Sequence, residues 1–77
     1  MSKIKEKVLE IIQDQFKPDI QINTEMQPSD VEGWNSLGHL QLIVRLEQEL
    51  NLSFELDELI EMQSVGDIVR IVEQKQL

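Results

Sequence analysis

The amino-acid sequence predicts an all-α protein: a small four-helix bundle, made of three main helices and one short helix, with a long first loop. Three observations support this. Apolar residues recur at helical spacing in three segments, one stretch alone alternates as a strand would, and 77 residues suffice for a single domain over positions 1–77. A lone strand is not stable, so the alternating stretch at 53–57 is expected to form a turn before a short helix near 57–61.

The first helix is predicted over residues 3–16, with Ser2 as its cap and Pro18 ending it. The connection that follows, residues 17–35, is rich in Pro, Asn, Ser, Asp and Gly, which form turns and caps. Its apolar residues lack a sustained period, and we expect them to fasten the loop to the bundle: Ile20, Ile22, Met26 and Val31.

The second helix is predicted over residues 36–51, ending at Asn51, and the last over residues 65–75, capped by Ser64. The second helix has more apolar surface than one core-facing stripe requires. Its inward stripe is Leu42, Ile43, Leu46 and Leu50, and an offset stripe is Leu37, Leu40 and Val44.

The formal net charge is −8, and no basic residue lies between Lys17 and Arg45 or between Arg45 and Arg70. The negative electrostatic field of this chain repels a phosphate backbone, which argues against a nucleic-acid partner. It attracts a protein with a basic patch, although acidic residues also simply keep a small protein in solution. With no cysteine and no long apolar run, we expect a cytoplasmic monomer without disulfides or a membrane span.

No catalytic or metal site is expected. Ser36 and His39, three residues apart, can share a helical face, but a hydrolase also needs an orienting group and an oxyanion hole. His39 is expected at the edge of the core. One histidine and no cysteine leave only carboxylates for a metal, and the acidic stretch 55–61 lacks calcium-loop spacing.

The segment 33–40 indicates a helix start capped by Asn35 or Ser36. Gly38 is unexpected there, because glycine in a helix costs about 1 kcal/mol relative to alanine. A small residue would make room for a group attached to Ser36, and a helix N-terminus suits a phosphate. From these residues alone, plain capping is the simpler interpretation.

The segment Trp-Asn-Ser-Leu-Gly-His-Leu at 34–40 resembles the prosthetic-group motif of acyl carrier proteins. The second helix and the start of the last helix extend the resemblance over essentially the whole chain, through Leu42, Ile43, Leu46, Glu47, Glu49, Leu50, Phe54, and Ser64 to Ile68. The resemblance implies a carrier rather than an enzyme: a phosphopantetheinyl transferase would attach 4′-phosphopantetheine from coenzyme A to Ser36, and the arm's thiol would hold acyl groups as thioesters.

The resemblance also implies partners, namely the transferase and the acyl-loading and acyl-processing enzymes, which would carry basic patches. Leu37 and Val44 would form the apolar contact and Glu47 the acidic one. Further acidic candidates are Asp57, Glu58 and Glu61.

The sequence departs from the family pattern in two ways. Asn35 stands where the family usually has Asp, and Gly38, Gln41 and Gln48 stand where many fatty-acid carriers have acids, while Arg45 adds a positive charge. These departures suggest a dedicated partner set, in fatty-acid-like, polyketide or other specialised biosynthesis. A peptidyl carrier and an interaction bundle that is never modified are the alternatives.

Overall fold

The computed structural model describes residues 3–76, and within that range no residue lies in a strand. It contains four α-helices, and the loop between the first two holds a 3₁₀ turn, Pro28–Asp30. The helices are α1 (Lys3–Phe16), α2 (Ser36–Leu50), α3 (Leu56–Glu61) and α4 (Val65–Gln76). The prediction of an all-α bundle with one short helix and a long first loop is therefore confirmed, whereas the cap expected at Ser2 lies outside the described residues.

The core lies where α1 packs against both α2 and α4. Each of these three helices contributes one apolar face, and burial of a Val, Leu or Ile side chain contributes about 1.5–3 kcal/mol. The fully or nearly fully buried residues are Val8, Ile11, Ile12, Leu42, Ile43, Leu46, Val65, Ile68, Val69, Ile71 and Val72, with Ile22, Val31, Trp34 and Met62 around them. None of the described helices is both long and apolar enough to cross a bilayer.

The helix ends follow the expected signals. The left-handed residue Lys17, with φ of 47°, ends α1 directly before Pro18, and Asn51, with φ of 53° and ψ of 54°, ends α2. The Ser64 hydroxyl accepts the backbone N–H of Asp67 at 3.1 Å and caps α4. Local sequence thus sets where each long helix stops or starts.

Hydrogen bonds fasten the long first loop to two helices. The Gln13 side chain of α1 donates to the carbonyl of Ile20 at 3.1 Å and accepts the N–H of Ile22 at 2.8 Å. The N–H of Val65, at the start of α4, donates to the carbonyl of Met26 at 2.9 Å. The loop therefore has a defined path between α1 and α2.

The apolar loop residues do not all contribute in the way the sequence suggested. Ile22 and Val31 are buried and Met26 packs partly against the core, but Ile20 is 53% exposed. The expectation that Ile20 pins the loop by burial is wrong. Gln13 binds the backbone carbonyl of Ile20, while the Ile20 side chain faces solvent.

Candidate functional site

The start of α2 holds the residues that the sequence singled out. Asn35 is in extended backbone, with φ of −100° and ψ of −168°, and its side-chain oxygen accepts the N–H of Gly38 at 2.8 Å. Asn35 is therefore the cap. Ser36, the first residue of α2, is exposed, and its hydroxyl makes no hydrogen bond with any residue of 3–76.

Gly38 is small for a reason other than the one expected. It is buried, and a Cβ built on it would lie 2.4 Å from the Gly33 carbonyl oxygen and 3.1 Å from the Phe16 ring. The chain's own first loop and α1 thus occupy the space, and the expectation that Gly38 makes room for a group on Ser36 is wrong.

Trp34, which is buried, and His39, which is half-buried, form a hydrogen-bonded pair beside this junction. Trp34 is 6% exposed, its ring stacks on Phe16 with 5.1 Å between ring centroids, and its indole N–H donates to Nδ1 of His39 at 3.0 Å. His39 is half-buried, at the edge of the core as expected, and this burial lowers its pKa. The imidazole is therefore neutral at neutral pH, with its proton on Nε2.

An open groove of about 620 Å³ lies beside Ser36. Its lining is mostly apolar: Pro28, Trp34, Leu40, Leu59 and Met62, together with Asn35, Ser36 and His39. A Ser-His hydrolase does not fit this geometry. A histidine general base needs a ring nitrogen free to accept the serine proton, yet Nδ1 of His39 already accepts from Trp34 and Nε2 carries the imidazole proton. No carboxylate lines the groove to orient the ring either.

The predicted partner residues lie on the outer surface of α2. Leu37 is 65% exposed and Val44 is 51% exposed. Glu47 is half-buried, and its Oε2 accepts the N–H of Phe54 at 2.9 Å. Sequence patterns did not reveal this internal bond, which links α2 to the segment before α3.

The other charged candidates differ in how free they are. Asp57 is exposed, and so is Glu61, whose Oε1 lies 3.8 Å from Nη2 of Arg70. The carboxylate of Glu58 accepts from Lys75 at 2.8 Å, which with a backbone N–H holds its pKa below the usual range. Arg45 pairs with Asp14 of α1 at 2.8 Å and with Glu49. The positive charge on α2 is therefore balanced within the bundle. Within residues 3–76, no three acidic or histidine side chains converge as metal ligands would.

Comparisons with known proteins agree with the geometry. The family model for the phosphopantetheine attachment site matches residues 6–72. Acyl carrier proteins from two strains of Porphyromonas gingivalis are 28% identical over 75 residues, which cover 96% of this chain and 96% of theirs.

Solved structures give the same result. A holo acyl carrier protein from Geobacter metallireducens, solved by NMR, is 30% identical with a TM-score of 0.86, over 97% of this chain and 87% of that one. A Mycobacterium tuberculosis chain provisionally assigned as an acyl carrier protein is 26% identical with a TM-score of 0.83, over 94% and 97%. The chain therefore belongs to the acyl carrier protein family, whose members are carriers with covalently attached 4′-phosphopantetheine and not catalysts.

Proposed function

We propose that Ser36 is the residue to which the 4′-phosphopantetheine arm is attached. One observation carries the proposal: Asn35 caps α2, which leaves the Ser36 hydroxyl exposed and without a hydrogen-bonding partner within residues 3–76. Backbone N–H groups and the helix dipole at the start of α2 favour an anion there by about 0.3–1 kcal/mol. The first turn of α2 contains no acidic residue to oppose a phosphate.

The attachment is a group transfer in which Ser36 is the acceptor. A bond forms between Ser36 Oγ and the phosphorus of the pantetheine phosphate, the pyrophosphate linkage of coenzyme A breaks, and adenosine 3′,5′-bisphosphate and the serine proton leave. When attached, the arm supplies the thiol that this cysteine-free chain lacks, and that thiol holds the acyl group as a thioester. Ser36 is then a modified residue and takes no part in a catalytic cycle.

Intact mass tests this assignment. Incubation with coenzyme A, Mg²⁺ and a broad-specificity phosphopantetheinyl transferase should add the mass of one phosphopantetheinyl group. Ser36→Ala should add none, and the matched control Ser29→Ala, at another exposed serine, should be fully modified. Modification of Ser36→Ala, or an unchanged wild-type mass with several transferases, would refute the assignment, and the latter result would favour the unmodified interaction bundle.

We further propose that partner enzymes bind an exposed apolar surface on α2 and α3, here called the docking face. It consists of Leu37, Leu40 and Val44 on α2 and Leu56 and Ile60 on α3, each more than half exposed. Exposed apolar surface of this kind marks interaction sites in small proteins. Because the chain carries a net charge of −8, the complementary partner surface has an apolar centre and a basic rim.

The transferase itself is a convenient partner for testing the docking face. Leu37→Ala and Val44→Ala should each slow modification about tenfold, since truncating a central interface residue costs 1 kcal/mol or more. The matched control is Ile20→Ala, at an exposed apolar residue in the first loop, far from the docking face in sequence. Equal rates for all three variants, each with a wild-type circular dichroism spectrum, would argue against the docking face.

The uncharged residues of α2 support a partner set distinct from that of fatty-acid synthesis. Packing explains Gly38, because no larger side chain fits there, so only the exposed residues Gln41 and Gln48 bear on partner choice. A malonyl transferase of fatty-acid synthesis should therefore load the wild type slowly, and the double variant Gln41→Glu, Gln48→Glu faster. Wild-type loading as fast as that of a fatty-acid carrier would contradict this proposal.

A further inference from the structure

His39 has a hydrogen-bond donor that the fold does not use. An indole N–H can only donate, so Nδ1 of His39 accepts from Trp34 and the neutral ring must carry its proton on Nε2. Nε2 has no partner within residues 3–76, and it is not a buried atom left unpaired. It is therefore accessible to a group from outside the fold.

The position of this donor relates it to Ser36. Residues three apart on a helix lie on the same face, and helical side chains lean toward the N-terminus, so the His39 ring leans toward the first turn of α2. Ser36 and His39 both line the groove, whose remaining surface is largely apolar, including Leu40, Leu59 and Met62. Apolar walls with one directed polar group are typical of sites that bind and orient a small molecule.

We propose that the Nε2–H of His39 donates a hydrogen bond to a neutral oxygen, a carbonyl or hydroxyl, of the arm on Ser36, and so holds part of the arm in the groove. This inference rests on the proposed attachment at Ser36, because that tether starts the arm among the residues that line the groove. Trp34 acts as a positioning residue, since its indole N–H fixes both the orientation of the ring and the site of its proton.

A neutral oxygen fits His39 better than the phosphate does. A phosphate would favour the imidazolium form, in which Nδ1 carries a proton and can no longer accept from Trp34. That exchange would break a hydrogen bond beside a ring that is almost fully buried. A carbonyl or hydroxyl leaves the Trp34–His39 bond intact.

Nuclear magnetic resonance of the ¹⁵N-labelled protein tests the inference without any substitution. Comparison of the apo and holo forms should show the Nε2–H tautomer in both, with the Nε2 proton moving downfield and exchanging more slowly in the holo form. Identical Nε2 signals in the two forms would overturn the proposal. Protonation of Nδ1 at neutral pH in the holo form would also overturn it, because it would mean that the phosphate is the contact.

A variant pair separates this inference from the Ser36 assignment. His39→Asn keeps an acceptor near the Nδ1 position for Trp34 but has no donor at the Nε2 position. Gln41→Ala is the matched control, because it removes an exposed polar residue of α2 that does not line the groove. With an isotope-labelled arm, we expect the arm to be more mobile in His39→Asn and unchanged in Gln41→Ala.

The outcomes are distinguishable because intact mass is measured first. A complete adduct on Ser36 in all three proteins, with equal arm mobility, would overturn the role of His39 and leave the attachment site standing. Absence of an adduct in the wild type would refute the attachment site, and the His39 inference with it.

Discussion

Replacing Gly38 by alanine sets two physical effects against each other. On helix propensity alone, Gly38→Ala should stabilise α2 by about 1 kcal/mol, because glycine is a poor helix former. In the structure, however, the new methyl carbon would lie 2.4 Å from the Gly33 carbonyl oxygen and 3.1 Å from Phe16. The carbonyl is backbone, so it cannot turn away as a flexible side chain would.

The packing term should exceed the propensity term. Overpacking a well-filled site costs about 1–3 kcal/mol, and the upper part of that range applies because backbone at Gly33, held at φ of 88°, would have to move by about 1 Å. Subtracting about 1 kcal/mol of propensity leaves a net loss of about 1–2 kcal/mol. For a domain of this size, that corresponds to a fall in Tm of about 4–16 °C.

Urea and thermal unfolding followed by circular dichroism measure this loss directly. The control is Gln48→Ala at an exposed position of α2, where the better helix former should leave stability within about 0.5 kcal/mol of wild type. If Gly38→Ala proved as stable as wild type or more stable, helix propensity would dominate and the packing argument at Gly33 would be refuted.

Substitutions at three further positions test the polar contacts by unfolding measurements. Asn35→Ala should lower the free energy of unfolding by about 1 kcal/mol because the cap is lost. Asn35→Asp should raise it by about 0.3–1 kcal/mol at neutral pH through the helix dipole. Equal stability of the two variants would rule out the cap. The hydrogen bond from Lys75 lowers the pKa of Glu58 in the folded protein. The ionised Glu58 side chain therefore contributes its full stabilisation of the fold above the unfolded-state pKa of about 4.3, and this contribution is lost as pH falls through the lower folded-state pKa. Glu58→Gln should therefore flatten the acid side of the stability profile, and an unchanged profile would argue against the pairing. Glu47→Ala should cost about 1–2 kcal/mol because the Phe54 N–H loses its acceptor, while Glu47→Gln, which keeps an acceptor oxygen, should cost less; equal losses would mean that charge matters and the bond does not.

The sequence was sufficient to predict the helices and the faces that α1, α2 and α4 bury. Helical periodicity predicted the core stripe of α2, and single residues such as Pro18, Asn51 and Ser64 predicted helix ends, because these signals act through the local backbone. The motif at 34–40 predicted the candidate site. Ser36 is exposed at the start of α2, and its modification stays a prediction.

Contacts between distant residues could not be predicted in the same way. Position 38 requires glycine because the Gly33 carbonyl and the Phe16 ring of α1 occupy the space of a side chain. These two groups come together only when the first loop folds back on α1. The bond from Phe54 to Glu47 and the one from Trp34 to His39 depend on side-chain rotamers that no period in the sequence encodes. Ile20 was misjudged because a backbone contact replaced the expected side-chain burial.

The exposed apolar residues of α2 are best understood through α3. This helix has six residues, Leu56–Glu61, and none of them is buried. It is held by polar contacts, such as Lys75 to Glu58 and the Glu47 carboxylate to the segment before it, and by Leu59, which packs partly against the core. The apolar residues of the docking face are more than half exposed, and one of them, Leu40, lines the groove together with Ser36. The proposed docking face and the proposed attachment residue are therefore neighbours, as a carrier requires, because the surface that binds a partner must lie beside the residue that holds the cargo.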